Sequence, residues 1–91
     1  MNKPKNIIWK SGIARDILIE LLEKEDYPSR LARKLGITFP YLAKIRDLLI
    51  KKGLIEFGTK IDGRTRLVKL TPKGKLIAFR LNELKKIVRD D

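Results

Sequence analysis

Paired acid–base catalysis by this chain would fall to its carboxylates, because its 91 residues include no cysteine and no histidine. Thiolate nucleophiles, disulfides, Cys/His zinc sites and histidine-based proton relays are thereby excluded. Five of the eleven acids, Asp16, Glu20, Glu23, Glu25 and Asp26, fall on or just after one helical segment. They read as a solvated helix face and not as an acid–base pair. No phosphate-cradling GxxxxGKS/T loop and no GxGxxG occurs. The expectation is a protein that is not an enzyme and that uses neither cofactor nor metal.

The chemistry that the side chains do offer is polyanion binding. The chain carries 22 Lys and Arg against 11 acids, a net charge of +11. Between Pro28 and Lys75 there are 13 basic residues and only three acids, Asp47, Glu56 and Asp62, so this stretch alone holds +10. A solubilising surface would spread its excess, whereas a patch concentrated in one segment suits nucleic acid or an anionic membrane surface. A membrane-surface binder presents an amphipathic helix with one basic face. Here the excess runs through helices and a strand pair, which favours nucleic acid.

The elements that position these charges can be read from spacing. Ser11 is a suitable N-cap for a first helix reaching about Lys24, with Ile13, Ala14, Ile17, Leu18, Leu21 and Leu22 on one face. Pro28 opens a second, short helix with Leu31, Ala32 and Leu35 inward, and Gly36 ends it. Thr38 caps a third helix, with Leu42, Ile45, Leu48 and Leu49 on one side, closed by Gly53. The period then changes to strand alternation from Leu54 to Ile61. Asp62-Gly63 follows as a hairpin signal, and Arg64 to Leu70 return. Thr71-Pro72 reads as cap and first residue of a last helix, from Pro72 to about Arg89. The expected fold is mostly α with a small β-hairpin, a winged helix-turn-helix. It has a three-helix body, a two-stranded wing and a C-terminal helix, all within one domain spanning residues 1–91.

Three stretches resemble winged-helix regulators of the MarR type, and small archaeal-type relatives in particular. Tyr27-Pro28-Ser29-Arg30-Leu31-Ala32-Arg33-Lys34-Leu35-Gly36-Ile37-Thr38 is similar to that family's second helix and turn. Tyr41-Leu42-Ala43-Lys44-Ile45, continuing to Leu49-Ile50-Lys51-Lys52-Gly53-Leu54-Ile55, resembles the recognition helix and its entry to the wing. Leu70-Thr71-Pro72-Lys73-Gly74 resembles the exit from the wing. The resemblance covers about Pro28 to Gly74 and implies a regulator that binds double-stranded DNA. It departs from the family in length: full MarR proteins carry extra terminal helices that build a dimer and a ligand pocket. Little room for an effector pocket is expected here. Where relatives often place Ser or Thr, this chain has Ala43.

With Leu42, Ile45 and Leu49 turned inward at about 100° per residue, the outward face of the third helix is Phe39, Pro40, Ala43, Asp47 and Ile50. Lys44, Arg46 and Lys51 flank it. Base reading by hydrogen bonds usually places Arg, Asn or Gln on this face, and none is central here. Phe39, Pro40 and Ala43 are placed to pack on thymine methyls, Asp47 to accept from a cytosine amino group, and Lys44 and Arg46 to hold phosphates. Packing of Phe39 and Ile50 on a neighbouring element is the competing reading. Arg30, Thr38 and Tyr41 complete the helix-turn-helix contact set. Lys60, Arg64 and Arg66 bracket the wing tip, where a groove or its phosphates would lie.

The last helix carries Ile77, Leu81, Leu84, Ile87 and Val88, a stripe that extends past the body it could cover. It is expected to pair with a second copy, aided by the first helix and Ile7-Ile8-Trp9. Met1 to Lys10 is too polar for a signal peptide, and no apolar run approaches the roughly 20 residues of a membrane span, which points to the cytoplasm. Abundant Lys, Ile and Leu, with no Gln, resemble heat-adapted proteins. Two other functions stay open: a sequence-tolerant architectural DNA-binding protein, and a winged helix for RNA or protein contacts.

Overall fold

Apolar side chains at three- and four-residue spacing close the core. Ala14, Ile17, Leu18 and Leu21 meet Leu31, Ala32, Leu42, Ile45 and Leu49, and all nine are buried. The computed structural model describes residues 12–60 and 66–90. They form α1 (Gly12–Glu20), α2 (Pro28–Leu35), α3 (Phe39–Lys51), β1 (Ile55–Lys60), β2 (Arg66–Leu70) and α4 (Pro72–Asp90). This is the mostly helical winged helix-turn-helix expected. The proposed Ser11 cap, the Ile7-Ile8-Trp9 segment, Ile61, the Asp62-Gly63 turn and Arg64 lie outside the described residues.

The caps act as the residue types require. Thr38 accepts from the Tyr41 N–H at 3.3 Å and so satisfies one of the free donors in the first turn of α3. Gly36 follows α2 with φ +68°, and its N–H returns to the Ala32 and Arg33 carbonyls. A side chain is strained in that left-handed conformation, so glycine makes the sharp turn into α3. Thr71 does more than cap α4. Its Oγ accepts from the Gly74 N–H at 3.0 Å and donates to the Gly53 carbonyl at 2.6 Å, which ties the end of the wing to its beginning.

The hairpin pairs Ile55 with Leu70, Glu56 with Lys69 and Phe57 with Val68, then shifts register before Lys60 meets Arg66. The extra residue on β1 is a bulge, which bends the wing away from a flat ribbon. Ile55, Val68 and Leu70 are buried at its base, so the wing grows out of the core. On the body side, Glu25 accepts from the Thr59 N–H at 3.2 Å.

Two expectations are corrected near the end of α1. The helix stops at Glu20, not Lys24, and Leu22 N–H bonds the Ile19 carbonyl in a tightened last turn. The chain then extends so that Asp26 exchanges both backbone hydrogen bonds with Val68, at 3.1 and 2.9 Å, adding a third rung beside β2. Asp26 is therefore not part of a solvated acidic face. It is 4% exposed, accepts from the Tyr27 N–H at 2.7 Å and pairs with Lys34 at 3.4 Å and Arg30 at 3.7 Å. Hydrogen bonding to Asp26, with Glu20 also contributing, raises the Lys34 pKa above its usual 10.5. Lys34 therefore keeps its charge at neutral pH and loses it only as strong alkali carries the pH through that raised pKa.

Asp26→Ala should cost about 2 kcal/mol, the worth of a charge-assisted hydrogen bond. In a domain of this size that lowers Tm by roughly 10 °C. Thermal unfolding followed by circular dichroism checks it, and an unchanged Tm would mean that this buried carboxylate is dispensable.

Candidate nucleic-acid interface

The core face of α3 decides what its other face can offer. Leu42, Ile45 and Leu49 are buried, and Ile50 is partly buried against the same core. Ile50 therefore belongs to the packing and not to the outward face. Leu48, expected with the core, is 36% exposed, because it sits about 100° around the helix from Leu49. What remains outward is Phe39 at 48% exposure and Tyr41 at 42%, with Pro40, Lys44, Asp47 and Lys51 exposed and Ala43 half-buried. The N-terminal half of the helix thus presents mainly apolar and aromatic groups.

Arg46 does not project freely beside them. Its Nε donates to the Asp47 carboxylate at 3.0 Å, and its guanidinium lies 5.7 Å from the centre of the Phe57 ring on β1. Arg66 of β2 stands 5.6 Å from the same ring. A cation over an aromatic face is held by about 0.5–1 kcal/mol when exposed. Phe57, itself 42% exposed, therefore brings together one arginine of α3 and one of the wing. Sequence reading passed over Phe57 as one member of a strand alternation. Its signal was an aromatic residue in a strand whose other solvent-facing positions are charged or small. Asp47, expected to accept from a base, already holds Arg46 through one oxygen.

Lys60 is exposed at the end of β1 and paired in register with Arg66. Arg30 is half-exposed on α2 and bound to Asp26. The remaining exposed cations of this segment include Lys44, Lys51, Lys52, Lys60 and Lys69. Ion pairs among the described residues engage only Arg30, Lys34 and Arg46. The positive field of α3 and the wing is thus left largely uncompensated, the condition under which a phosphate backbone is attracted.

The apolar stripe of α4 divides. Leu81 is buried and Ile77 partly buried on the body, so neither is spare surface. Leu84, Ile87 and Val88 are 52%, 61% and 72% exposed. Leu81, Leu84, Lys85 and Val88 face Arg15, Asp16 and Ile19 of α1 across an open groove of about 410 Å³. Leu76, beside the stripe, and Phe79, which spacing did not single out, are exposed as well. No helix among the described residues is long and apolar enough to cross a membrane.

Helix-turn-helix, basic hairpin and closing helix in this order define a winged helix-turn-helix protein. No protein-family model matches the chain, and no curated protein matches it in sequence. Solved structures do. A variant of ZitR from Lactococcus lactis is 22% identical with a TM-score of 0.85, over 99% of this chain and 62% of ZitR. The transcriptional regulator BldR from Sulfolobus solfataricus is 25% identical with a TM-score of 0.77, over 92% of this chain and 64% of BldR. A MarR family regulator from Neisseria meningitidis is 26% identical with a TM-score of 0.77, over 87% of this chain and 57% of its own. Two of these structural neighbours are thus described as regulators, one of them of the MarR family. This chain spans about three-fifths of the length of each of these three.

Proposed function

We propose that this chain is a transcriptional regulator that binds double-stranded DNA, with α3 in the major groove and the wing against the backbone. The carrying observation is the thirteen-to-three excess of basic residues between Pro28 and Lys75, a stretch that holds the helix-turn-helix, the wing and the first turn of α4. Lys44 and Lys51 of α3 and Lys60 and Arg66 of the wing hold phosphates in this reading, with Arg30 at the edge. Arg64 at the wing tip is assigned with them. Thr38, Phe39, Pro40, Tyr41, Ala43 and Asp47 meet the groove. Arg46 acts mainly by fixing the wing to α3 through Phe57. Two copies join through the end of α4, so that each covers one half-site. The winged-helix neighbours support the reading, two of them being described as regulators.

Selection of bound sequences from random duplex DNA tests it. A palindromic consensus is the expected result, and failure to retain any duplex would overturn the reading. Retention without enrichment would point to a sequence-tolerant architectural protein. Arg66→Ala should weaken binding about equally on all sequences and flatten the log–log salt dependence by roughly one unit, as one phosphate contact is lost. An altered sequence preference with an unchanged salt slope would remove Arg66 from the backbone contacts. Phe57→Leu should show part of the same loss, because Arg46 and Arg66 both lean on its ring.

A further inference from the structure

Recognition helices contact base edges chiefly with their N-terminal residues. In α3 those residues are Phe39, Pro40, Tyr41, Ala43 and Lys44, and they include no Arg, Asn or Gln. Further along, Arg46 and Asp47, which could both bond base edges, are engaged with each other: Arg46 Nε donates to Asp47 at 3.0 Å. The Arg46 guanidinium is turned towards the wing, over Phe57. What the leading half of the helix offers a major groove is therefore apolar surface, with Phe39 48% exposed and Tyr41 42% exposed. Pro40 suits the first turn of α3, where no backbone donor is needed, but the exposed ring of Phe39 adds nothing to the buried core. The surrounding positive charge brings a polyanion to that surface.

The major groove displays one apolar group, the C5-methyl of thymine. We infer that α3 reads thymine methyls, with Phe39 as the principal contact and Pro40 and Ala43 beside it. Sequence preference in this protein then comes from methyl packing on α3, and the lysines and the wing supply affinity without discrimination. The inference rests on the DNA-binding reading above and adds the chemical group that is recognised. It assigns Phe39 a role that Lys44 and Arg66 do not share.

Deoxyuridine differs from thymidine at the base only by that methyl, so it isolates the contact. Binding is measured by fluorescence anisotropy on duplexes of alternating A·T pairs and on matched duplexes carrying deoxyuridine in place of every thymidine. The thymine duplex should bind more tightly, by about fourfold for each methyl that becomes buried. In Phe39→Ala the ratio should collapse towards one, whereas Phe39→Leu, which keeps an apolar side chain, should retain most of it. Arg66→Ala should lower both affinities and leave the ratio in place. Equal binding of the two parent duplexes, or a ratio that survives in Phe39→Ala, overturns the assignment while leaving DNA binding intact. If neither duplex shows salt-dependent binding, the DNA-binding reading itself fails. Phe39 is exposed, and an unchanged circular dichroism spectrum verifies that each variant is folded.

Discussion

Gly74→Ala should unfold this protein at temperatures where the parent is stable, although alanine is the better helix former. Gly74 lies in the first turn of α4 and is buried. A Cβ built there would overlap the carbonyl oxygen and carbon of Leu54. Those atoms are backbone and are held in place. The Leu54 carbonyl accepts from the Thr71 N–H at 3.1 Å, and the Leu54 N–H donates to the Leu49 carbonyl at 3.0 Å. The next residue, Ile55, is buried and paired with Leu70. No rotamer change relieves the clash, so the start of β1 or the whole of α4 must move, and Ala78 and Leu81 with it.

The two opposing terms differ in size. Helix propensity favours alanine by about 1 kcal/mol. Overpacking against fixed atoms costs typically 1–3 kcal/mol and occasionally more, and here the whole displacement falls on backbone. At the upper end of that range the net loss is roughly 2 kcal/mol, which for a domain this small means a fall in Tm of about 8–16 °C. Lys73→Ala, one residue earlier and exposed, should change little and serves as the reference. A Gly74→Ala protein melting within a few degrees of the parent would show that α4 can slide off the strand without penalty.

The double substitution Leu84→Glu, Val88→Glu should leave the fold intact and dissociate the proposed dimer. Both side chains are more than half exposed, so the body loses few contacts when they are replaced. At an interface between two copies, the new carboxylates would be buried without partners, which costs several kcal/mol per ion. Affinity for a duplex with two half-sites should then fall by about 10²–10⁴, because the second site no longer binds as an intramolecular event. Affinity for a single half-site should change little. Light scattering on parent and variant decides the matter. A monomeric parent, or a variant that stays dimeric, would remove Leu84 and Val88 from any interface.

The sequence by itself determined the order of elements and most of their ends. Thr38 and Thr71 could be recognised as caps, and Gly36 as the turn, because a cap or a left-handed residue is a requirement on the chain within a few positions. The core stripes of α1, α2 and α3 were legible for the same reason, since a helix puts residues three and four apart on one face. Charge localisation was legible too, because net charge needs no geometry.

What only the tertiary structure decided is whatever depends on two distant segments meeting. Asp26 looks like one more acid after an acidic helix until Val68, far along the chain, pairs with its backbone and buries it. Leu81 and Leu84 belong to one periodic stripe, yet only Leu81 is buried, because Leu84 faces α1 across an open groove instead of packing against it. Gly74 reads as a poor helix residue, and its reason is the carbonyl of Leu54 against it. Arg46 reads as a free phosphate contact until Asp47 and the ring of Phe57 take hold of it. Local spacing fixes which face a residue occupies, but its neighbours on that face come from packing, and packing sets burial, partners and the groups left to meet a ligand.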